Sequence, residues 1–409
     1  MTEAAPAPAW SAWRTVVWFG IVSLAADMVY EGARSVTGPF LASLGASALV
    51  VGLVTGAGEA AALTFRLFSG PLADRSGRYW MLTIVGYGTT AVCVPLMAVA
   101  PFVGSAGLAL AATMILAERT GKAIRSPSKS ALLAHAAKAV GRGRGFAVHK
   151  ALDQVGSFAG PLAVAGLIAL FARTWIGLAA LAVPGAVAMG LLFWIRHRVP
   201  DLTVYDPPSD EPPAPALAPG ERAPSALRQL PADFHLFALA CAASTLGLMT
   251  FGVISYHLVH DRLLSVSAVP LAYAAAMAFQ AVTALATGFA YDRVGPRVLL
   301  VLPALVAVVP ALAFAPTVGV ALGGVLLWGG ATGIQDSTVK ALVADLVPSG
   351  RLATAYGFFA ALQGVAALVG GGLAGWLYDD GVTDLVVVVG AVQAVAMVLL
   401  VKVLRDTEH

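Results

Sequence analysis

The stretch Gly70-Pro-Leu-Ala-Asp74-Arg75-Ser-Gly77-Arg78 separates two long hydrophobic runs of the chain. A related stretch, Gly288-Phe-Ala-Tyr-Asp292-Arg293-Val-Gly295-Pro-Arg297, separates two others in the second half. A further correspondence joins Ala151-Leu-Asp153-Gln-Val to Ala361-Leu-Gln363-Gly-Val. Two correspondences in the same order along the chain indicate that it consists of two related halves.

The composition around these stretches is that of a membrane protein. Of the 409 residues, 59% are apolar and only 11% are charged, whereas a soluble domain carries roughly a quarter charged residues. Runs such as 81–100 and 385–401 contain no charge, and about 20 apolar residues are enough for a helix to cross a bilayer. We therefore expect an all-α integral membrane protein.

The hydrophobic runs predict about twelve transmembrane helices in two bundles of six. The helices of the first bundle are expected at 13–43, 46–69, 79–101, 104–133, 145–171 and 174–196. Those of the second are expected at 232–257, 266–290, 298–315, 318–347, 350–378 and 383–404. The proposed domains are a bundle at 1–198, a flexible, proline-rich cytosolic linker at 199–231 and a bundle at 232–409.

Basic residues predict the orientation, because Lys and Arg accumulate in cytosolic loops. With both termini in the cytosol, Arg173 and Arg262 are the only Lys or Arg residues in the outer loops. The first dozen residues lack the basic region and cleavage site of a secretory signal. We expect a multi-pass protein of a bacterial plasma membrane (the inner membrane) with both termini cytosolic.

The pattern Gly70-x-Leu72-x-Asp74-Arg75-x-Gly77-Arg78 resembles the loop between helices 2 and 3 of the major facilitator superfamily, with Tyr79 in place of the usual second basic residue. The resemblance extends over essentially the whole chain and implies two six-helix bundles around a central site. It also implies a gating loop, with Asp74 near Gly350 at the start of the eleventh helix. The alternative is a solvated turn whose charge only fixes topology. The gating residues so implied are Gly70, Asp74, Arg75, Gly77, Arg78, Asp292 and Arg293.

Gly156-x-x-x-Gly160-Pro161 resembles the antiporter motif of drug-exporting members of that family. Val164 and Ala165 replace the two glycines that follow in the motif. The resemblance favours export. Ordinary packing of small residues at a proline kink is the alternative.

Charged residues inside the membrane are candidates for function, because each costs about 3 kcal/mol at the bilayer centre. Asp27, Glu31 and Arg34 share one face of the first helix, and neighbouring carboxylates repel each other, which favours proton binding. Asp27, Glu31 and Asp153 are the candidate proton-coupling groups. Most of the charge lies in the first half, so a more apolar cavity wall is expected from the second. The cavity and substrate candidates are Arg34, Glu59, Arg119, Lys122, Arg125, His149, Asp336 and Gln363.

Several of these groups have a purely structural interpretation. Glu118 with Lys122, and Glu59 with Arg66, are spaced for static ion pairs. His149 is equally consistent with a satisfied polar contact.

The favoured function is a secondary transporter that exports a small amphipathic drug-like or metabolite solute in exchange for protons, by alternating access. The alternative is an importer or facilitator of a polar organic anion. A remote alternative is a polytopic enzyme or sensor that transports nothing, but no His-Glu-x-x-His, Cys-x-x-Cys or Gly-x-Ser-x-Gly is present. We predict no enzymatic activity, catalytic residue, cofactor, metal or nucleic-acid partner. The expected partners are the solute, protons and the lipid bilayer, with the monomer as the functional form.

Overall fold

The computed structural model describes residues 10–206, 230–347 and 352–406. In the first half, helices α1, α2 and α6 each consist of two pieces, and α3 ends in a 3-10 turn at Met97–Phe102. The helices are α1 (Ala12–Arg34 and Thr37–Ser43), α2 (Ala48–Thr64 and Arg66–Ser76), α3 (Tyr79–Leu96), α4 (Gly107–Val140), α5 (Arg142–Phe171) and α6 (Thr174–Ala180 and Ala182–Arg198).

The second half repeats this plan. A 3-10 turn at Gly295–Leu300 precedes α9. The helices are α7 (Ala232–Leu248 and Phe251–His260), α8 (Val269–Val294), α9 (Val301–Ala313), α10 (Val318–Asp336 and Thr338–Leu346), α11 (Leu352–Asp380) and α12 (Val382–Asp406).

This all-α membrane architecture confirms the predicted fold class. By length and composition alone, 10 helical stretches of the described chain are apolar enough to span a membrane. The charges of α4 exclude it from that set, and α8 with α9 counts as one 45-residue stretch, Val269–Ala313. We call the side that carries Trp10 and residue 406 the terminal side and the opposite one the far side.

Several of the predicted helices contain a break. Helix α1 is interrupted after Arg34, and α7 is interrupted at Met249, whose φ is +49°. Hydrophobicity does not detect such breaks, because average hydropathy along a run does not report the backbone angles of single residues. Each break separates a short segment at the far side from the rest of its helix. These segments are Thr37–Ser43 in α1 and Phe251–His260 in α7.

Glycines allow the helices within each half to approach closely. A Cβ built on Gly156 would lie 2.1 Å from the carbonyl oxygen of Leu24, and one on Gly160 would lie 2.2 Å from that of Met28. In the second half a Cβ on Gly370 would lie 2.2 Å from the carbonyl oxygen of Leu246. Helices α1 and α5 therefore pack as α7 and α11 do, which extends the internal duplication to individual contacts.

The two halves meet mainly along α2 and α11 and along α5 and α8. A Cβ on Gly52 would lie 2.0 Å from the carbonyl oxygen of Gly371, and one on Gly375 would lie 2.3 Å from that of Ala48. Backbone thus touches backbone across this interface. Small residues at this interface allow the two helix backbones to approach closely.

The far side is closed by contact between the two short segments. Gly38 of α1 sits on the carbonyl oxygen of Gly252, where an added Cβ would be 2.1 Å away. Tyr256 of α7 is packed into the same apolar cluster as Phe40 of α1. In the described chain, α4 and α10 make no comparable packing with the opposite half on the terminal side. The structure is therefore closed at the far side.

The first eight residues of the predicted linker pack on the first bundle. Val199, Leu202 and Tyr205 are buried there, and the Tyr205 hydroxyl donates to the carbonyl oxygen of Trp10 at 2.9 Å. Asp206 pairs with Lys138 at 2.9 Å. Residues 207–229 lie outside the described residues, so the flexible-linker prediction stays untested for them.

Candidate functional site

A network of charges lies inside the first half, near the closed far side. Arg34 of α1 contacts Glu59 of α2 at 2.9 Å, and Glu59 is also 3.4 Å from Arg119 of α4. Arg119 lies 3.7 Å from Glu118. Acidic and basic side chains of α1, α2 and α4 thus pair with one another inside the protein. This pairing offsets part of the cost of removing them from water.

Glu31 extends this network into the second half. Its Oε2 atom lies 3.9 Å from Arg34, and the Tyr273 hydroxyl of α8 donates a hydrogen bond of 2.5 Å to the same oxygen. Both side chains are buried. A second bond between the halves joins the hydroxyls of Thr55 and Thr250 at 2.7 Å.

Asp27 and Asp153 form a second acidic site, between α1 and α5. Asp27 accepts a hydrogen bond of 3.4 Å from Ser157. Asp153 is 92% buried and lies 2.6 Å from the ammonium of Lys150, whose side chain is 70% exposed. The structure therefore brings Asp27 and Asp153 to the same pair of helices.

His149 has the structural contact anticipated as its alternative role. Its Nε2 atom lies 2.9 Å from the Ser23 hydroxyl, which also contacts Tyr87 and Lys129. With this partner, the buried imidazole needs no ligand to satisfy that nitrogen.

Tyr30 is a platform for cations. The Lys122 ammonium lies 3.4 Å from the centre of its ring, and the Arg119 guanidinium carbon lies 4.4 Å from it. Arg125 lies over Tyr87 at 4.6 Å and donates a bond of 2.5 Å to Thr90, which in turn bonds Glu118 at 3.1 Å. Aromatic rings and hydroxyls, rather than carboxylates, therefore hold Lys122 and Arg125.

The alternative that pairs Glu118 with Lys122 and Glu59 with Arg66 is wrong. Glu59 contacts Arg34 and Arg119 instead, and Glu118 contacts Arg119 and Thr90. Spacing along one helix predicts which side chains share a face. It does not predict which neighbouring helix offers a better partner.

The second half contributes two polar groups. Asp336 of α10 accepts a bond of 3.2 Å from Gln280 of α8, and its charge acts on Arg34 and Arg66 of the first half. Gln335, Thr245 and Gln363 form a hydrogen-bonded chain across α10, α7 and α11. The Nε2 atom of Gln363 is buried without a partner. Asp336 thus faces the first half, whereas Gln363 belongs to an uncharged group within the second.

The gating-loop residues lie at the terminal ends of the helices. Gly77 ends α2 with a φ of +62°, which glycine adopts without strain. The Tyr79 hydroxyl donates to Asp74 at 3.0 Å, so the residue that replaces the expected second base bonds the acid of the loop. Gly350, the expected neighbour of Asp74, lies outside the described residues. The charged side chains of the predicted gating residues are all exposed: Asp74, Arg75, Arg78, Asp292 and Arg293.

The glycines of the antiporter-like motif pack on the backbone of α1. Pro161 follows Gly160 directly and is buried in the same helix. The contacts of Gly156 and Gly160 place Asp27 beside Ser157 of α5. Helices α1 and α5 therefore carry both the close glycine packing and the acidic site.

Sequence reasoning missed the side chains that hold these charges in place. Tyr30, Tyr87, Thr90 and Ser157 lie in apolar runs where nothing distinguishes them from packing residues. Tyr273 lies in the opposite half from Glu31, and a single sequence contains no signal for that contact.

Two six-helix halves, with charged groups buried near their interface, define a multi-pass membrane protein of the transporter type. The family model of the Major Facilitator Superfamily matches residues 18–258 and 236–409. The chain therefore belongs to the Major Facilitator Superfamily, as the sequence resemblance predicted.

Relatives and solved structures agree with this assignment. The chain is 51% identical over 394 residues to uncharacterized protein Rv2265 of Mycobacterium tuberculosis, covering 96% of this chain and 93% of that protein. Among solved structures, a variant of nucleoside transporter NupG superposes with a TM-score of 0.75, at 14% identity, over 96% of this chain and 99% of that chain. A variant of peptide transporter POT in complex with sulfate gives a TM-score of 0.70, at 14% identity, over 96% and 94%. The two solved structures show a shared fold. The family and the fold are those of transporters rather than enzymes.

Proposed function

We propose that this protein is a proton-coupled secondary transporter that exports a small amphipathic solute across a bacterial plasma membrane, with both termini in the cytosol. The observation that carries the proposal is the set of buried carboxylates at the interface of α1 and α5 and beside α8. Glu31 and Asp153 are buried and Asp27 is half-buried, and Glu31 contacts Tyr273 of the second half. Carboxylates in such surroundings bind and release protons in response to the charges around them.

An exchange mechanism follows from these groups. An ionised carboxylate attracts a cationic or polar end of the solute, whereas a protonated one does not, so proton and solute compete. The more apolar second half supplies a wall for the rest of an amphipathic molecule. Rocking of the halves about the α2–α11 contact then exposes the site to each side in turn.

The test is solute movement in proteoliposomes driven by an imposed pH gradient, with the amphipathic cation ethidium as one probe. Asp27→Asn, Glu31→Gln and Asp153→Asn are expected to lower pH-driven flux at least about tenfold, because each removes a proton-binding group. Asp380→Asn, an exposed acid on the far side, is the matched control and should retain parental flux. Unchanged pH-driven flux in all three site variants would refute this assignment.

One observation favours the second candidate, a carrier of a polar organic anion. Lys122 contacts the Tyr30 ring, and the salt bridges of the described residues do not include it. A half-buried ammonium that no carboxylate contacts is a favourable site for a solute anion. Protonation of nearby Asp27 would strengthen that site, so an anion would move together with protons.

The direction of coupled flux distinguishes the two candidates. In antiport, an inward pH gradient drives ethidium out of the compartment that the protons enter. In symport, the same gradient drives an anionic probe such as carboxyfluorescein in the direction of the protons. Lys122→Met should abolish only the anion movement, and Lys402→Met, at an exposed position, is its control.

A further inference from the structure

One hydrogen bond joins a membrane-buried acid of the first half to a side chain of the second. The Tyr273 hydroxyl lies 2.5 Å from Oε2 of Glu31. Tyr273 is completely buried, and Glu31 is 9% exposed. A bond between a hydroxyl and an ionised carboxylate, shielded from water, is among the stronger hydrogen bonds in proteins.

Tyr273 is fixed by an aromatic cluster that includes the start of the far-side segment of α7. Its ring centre lies 4.7 Å from that of Phe251, which begins that segment, and 6.4 Å from that of Trp328. The Trp328 indole donates to the carbonyl oxygen of Met249, at the break in α7, at 3.2 Å. Any change in the position of Tyr273 is therefore felt by the segment that closes the far side.

Glu31 is surrounded by charged groups from several helices. On α1 these are Arg34 and Asp27, and Glu59 of α2 lies behind Arg34. Lys122 of α4 and Lys150 of α5 act on it electrostatically, and Arg119 of α4 acts on its partner Tyr273. With Glu31 ionised, the cations and the Tyr273 hydroxyl all attract it. With Glu31 protonated, Arg34 keeps Glu59 as its partner and the Tyr273 bond becomes a neutral one.

We propose that Tyr273 is a positioning residue through which a proton on Glu31 opens the far side. Ionised Glu31 holds Tyr273, Phe251 and the α7 segment against the α1 segment, as observed in the structure. A proton that binds the Glu31 carboxylate weakens this bond, because a hydrogen bond to a neutral acceptor is roughly half as strong. This inference rests on the proposed coupling through the buried carboxylates.

The test measures the far-side distance directly, without solute or flux. Spin labels on Ser43→Cys and Ser265→Cys, both at exposed far-side positions, report the separation of α1 from α7, with Cys93 and Cys241 replaced by serine. In the parent, the far-open fraction should increase as the pH is lowered. Glu31→Gln should be far-open at every pH, and Tyr273→Phe should increase the far-open fraction at neutral pH about fivefold, the factor given by about 1 kcal/mol.

Tyr291→Phe is the matched control. Tyr291 lies on the same helix and donates a hydrogen bond of 2.5 Å to a carboxylate, Asp345, but both residues belong to the second half. Its variant should keep the parental pH response, with melting temperatures confirming that all variants are folded. A Tyr273→Phe protein with the parental pH response would overturn the inference, as would a Glu31→Gln protein that still responds to pH. A parent protein that shows the predicted pH response of the far-side distance but no pH-driven flux would instead count against the proposed function alone.

Discussion

Gly160 of α5 lies directly on the backbone of Met28 in α1, so that a Cβ at residue 160 would be 2.2 Å from the Met28 carbonyl oxygen. No side chain larger than hydrogen fits unless the two helices move apart. This contact sets the distance between the helices that carry Asp27 and Asp153. Packing of the first half and the geometry of its acidic site are therefore linked.

Substitution of Gly160 by valine should destabilise the protein by about 1 to 3 kcal/mol, the usual cost of forcing extra methyl groups into a packed contact. Gly166→Val, on the same helix, is the control, because nothing lies within 4 Å of a Cβ at that position. Thermal unfolding of both variants in the same detergent measures the difference. Equal melting temperatures for the two would contradict the close contact.

Gly371→Val should affect transport more than stability of the individual halves. Its Cβ would lie 2.4 Å from the Gly52 carbonyl oxygen, across the α2–α11 interface. The added side chain separates the halves where they must stay in contact during rocking, so pH-driven flux should decrease at least about tenfold. Gly390→Val, which meets open space, should retain flux. Normal flux through Gly371→Val would show that this contact is dispensable.

Tyr30→Leu should weaken the cation site. The ring holds Lys122 and Arg119, and a cation–π contact contributes about 0.5 to 2 kcal/mol. Leucine keeps apolar bulk but has no ring, so both the melting temperature and pH-driven flux should decrease. Tyr30→Phe keeps the ring and should behave like the parent. If the leucine and phenylalanine variants behave alike, the cations do not depend on the ring.

Asp206 provides a prediction about pH. Partial burial raises the pKa of Asp206, but hydrogen bonds from Lys138 and His135 outweigh this effect and hold the pKa below its ordinary value. A lowered carboxylate pKa stabilises the folded state above the ordinary pKa, and that contribution is lost as the pH falls through the folded-state pKa. Asp206→Asn should therefore lower the melting temperature slightly near neutral pH, as expected for a partly exposed ion pair.

The same substitution should have a smaller effect in acidic buffer than near neutral pH, because the parental carboxyl group becomes protonated as the pH falls through its folded-state pKa, which lies below the ordinary value. Asp380→Asn, at an exposed position, serves as the comparison at both pH values. A destabilisation by Asp206→Asn that does not depend on pH would mean that the ion pair is not its cause.

Much of the architecture is predictable because it depends on local composition. Uncharged runs long enough to cross a bilayer predict the helices, and the repeated Asp-Arg-x-Gly stretches predict the two halves. The interruptions at Ser35 and Met249 are not predictable in this way, since average hydropathy does not report the backbone angles of single residues. The positions of Asp27, Glu31 and Asp153 in the interior follow from the cost of burying charge in lipid.

Hydrophobicity and internal repetition are properties of the amino-acid chain alone, and they are enough to predict an all-α membrane protein of two related six-helix halves. The partners of its buried charges were decided only by the tertiary structure. Glu31 bonds Tyr273, and Arg34 pairs with Glu59, through contacts between helices that are distant in sequence. Spacing along a helix fixes the direction in which a side chain points, but the group it meets depends on how the helices pack.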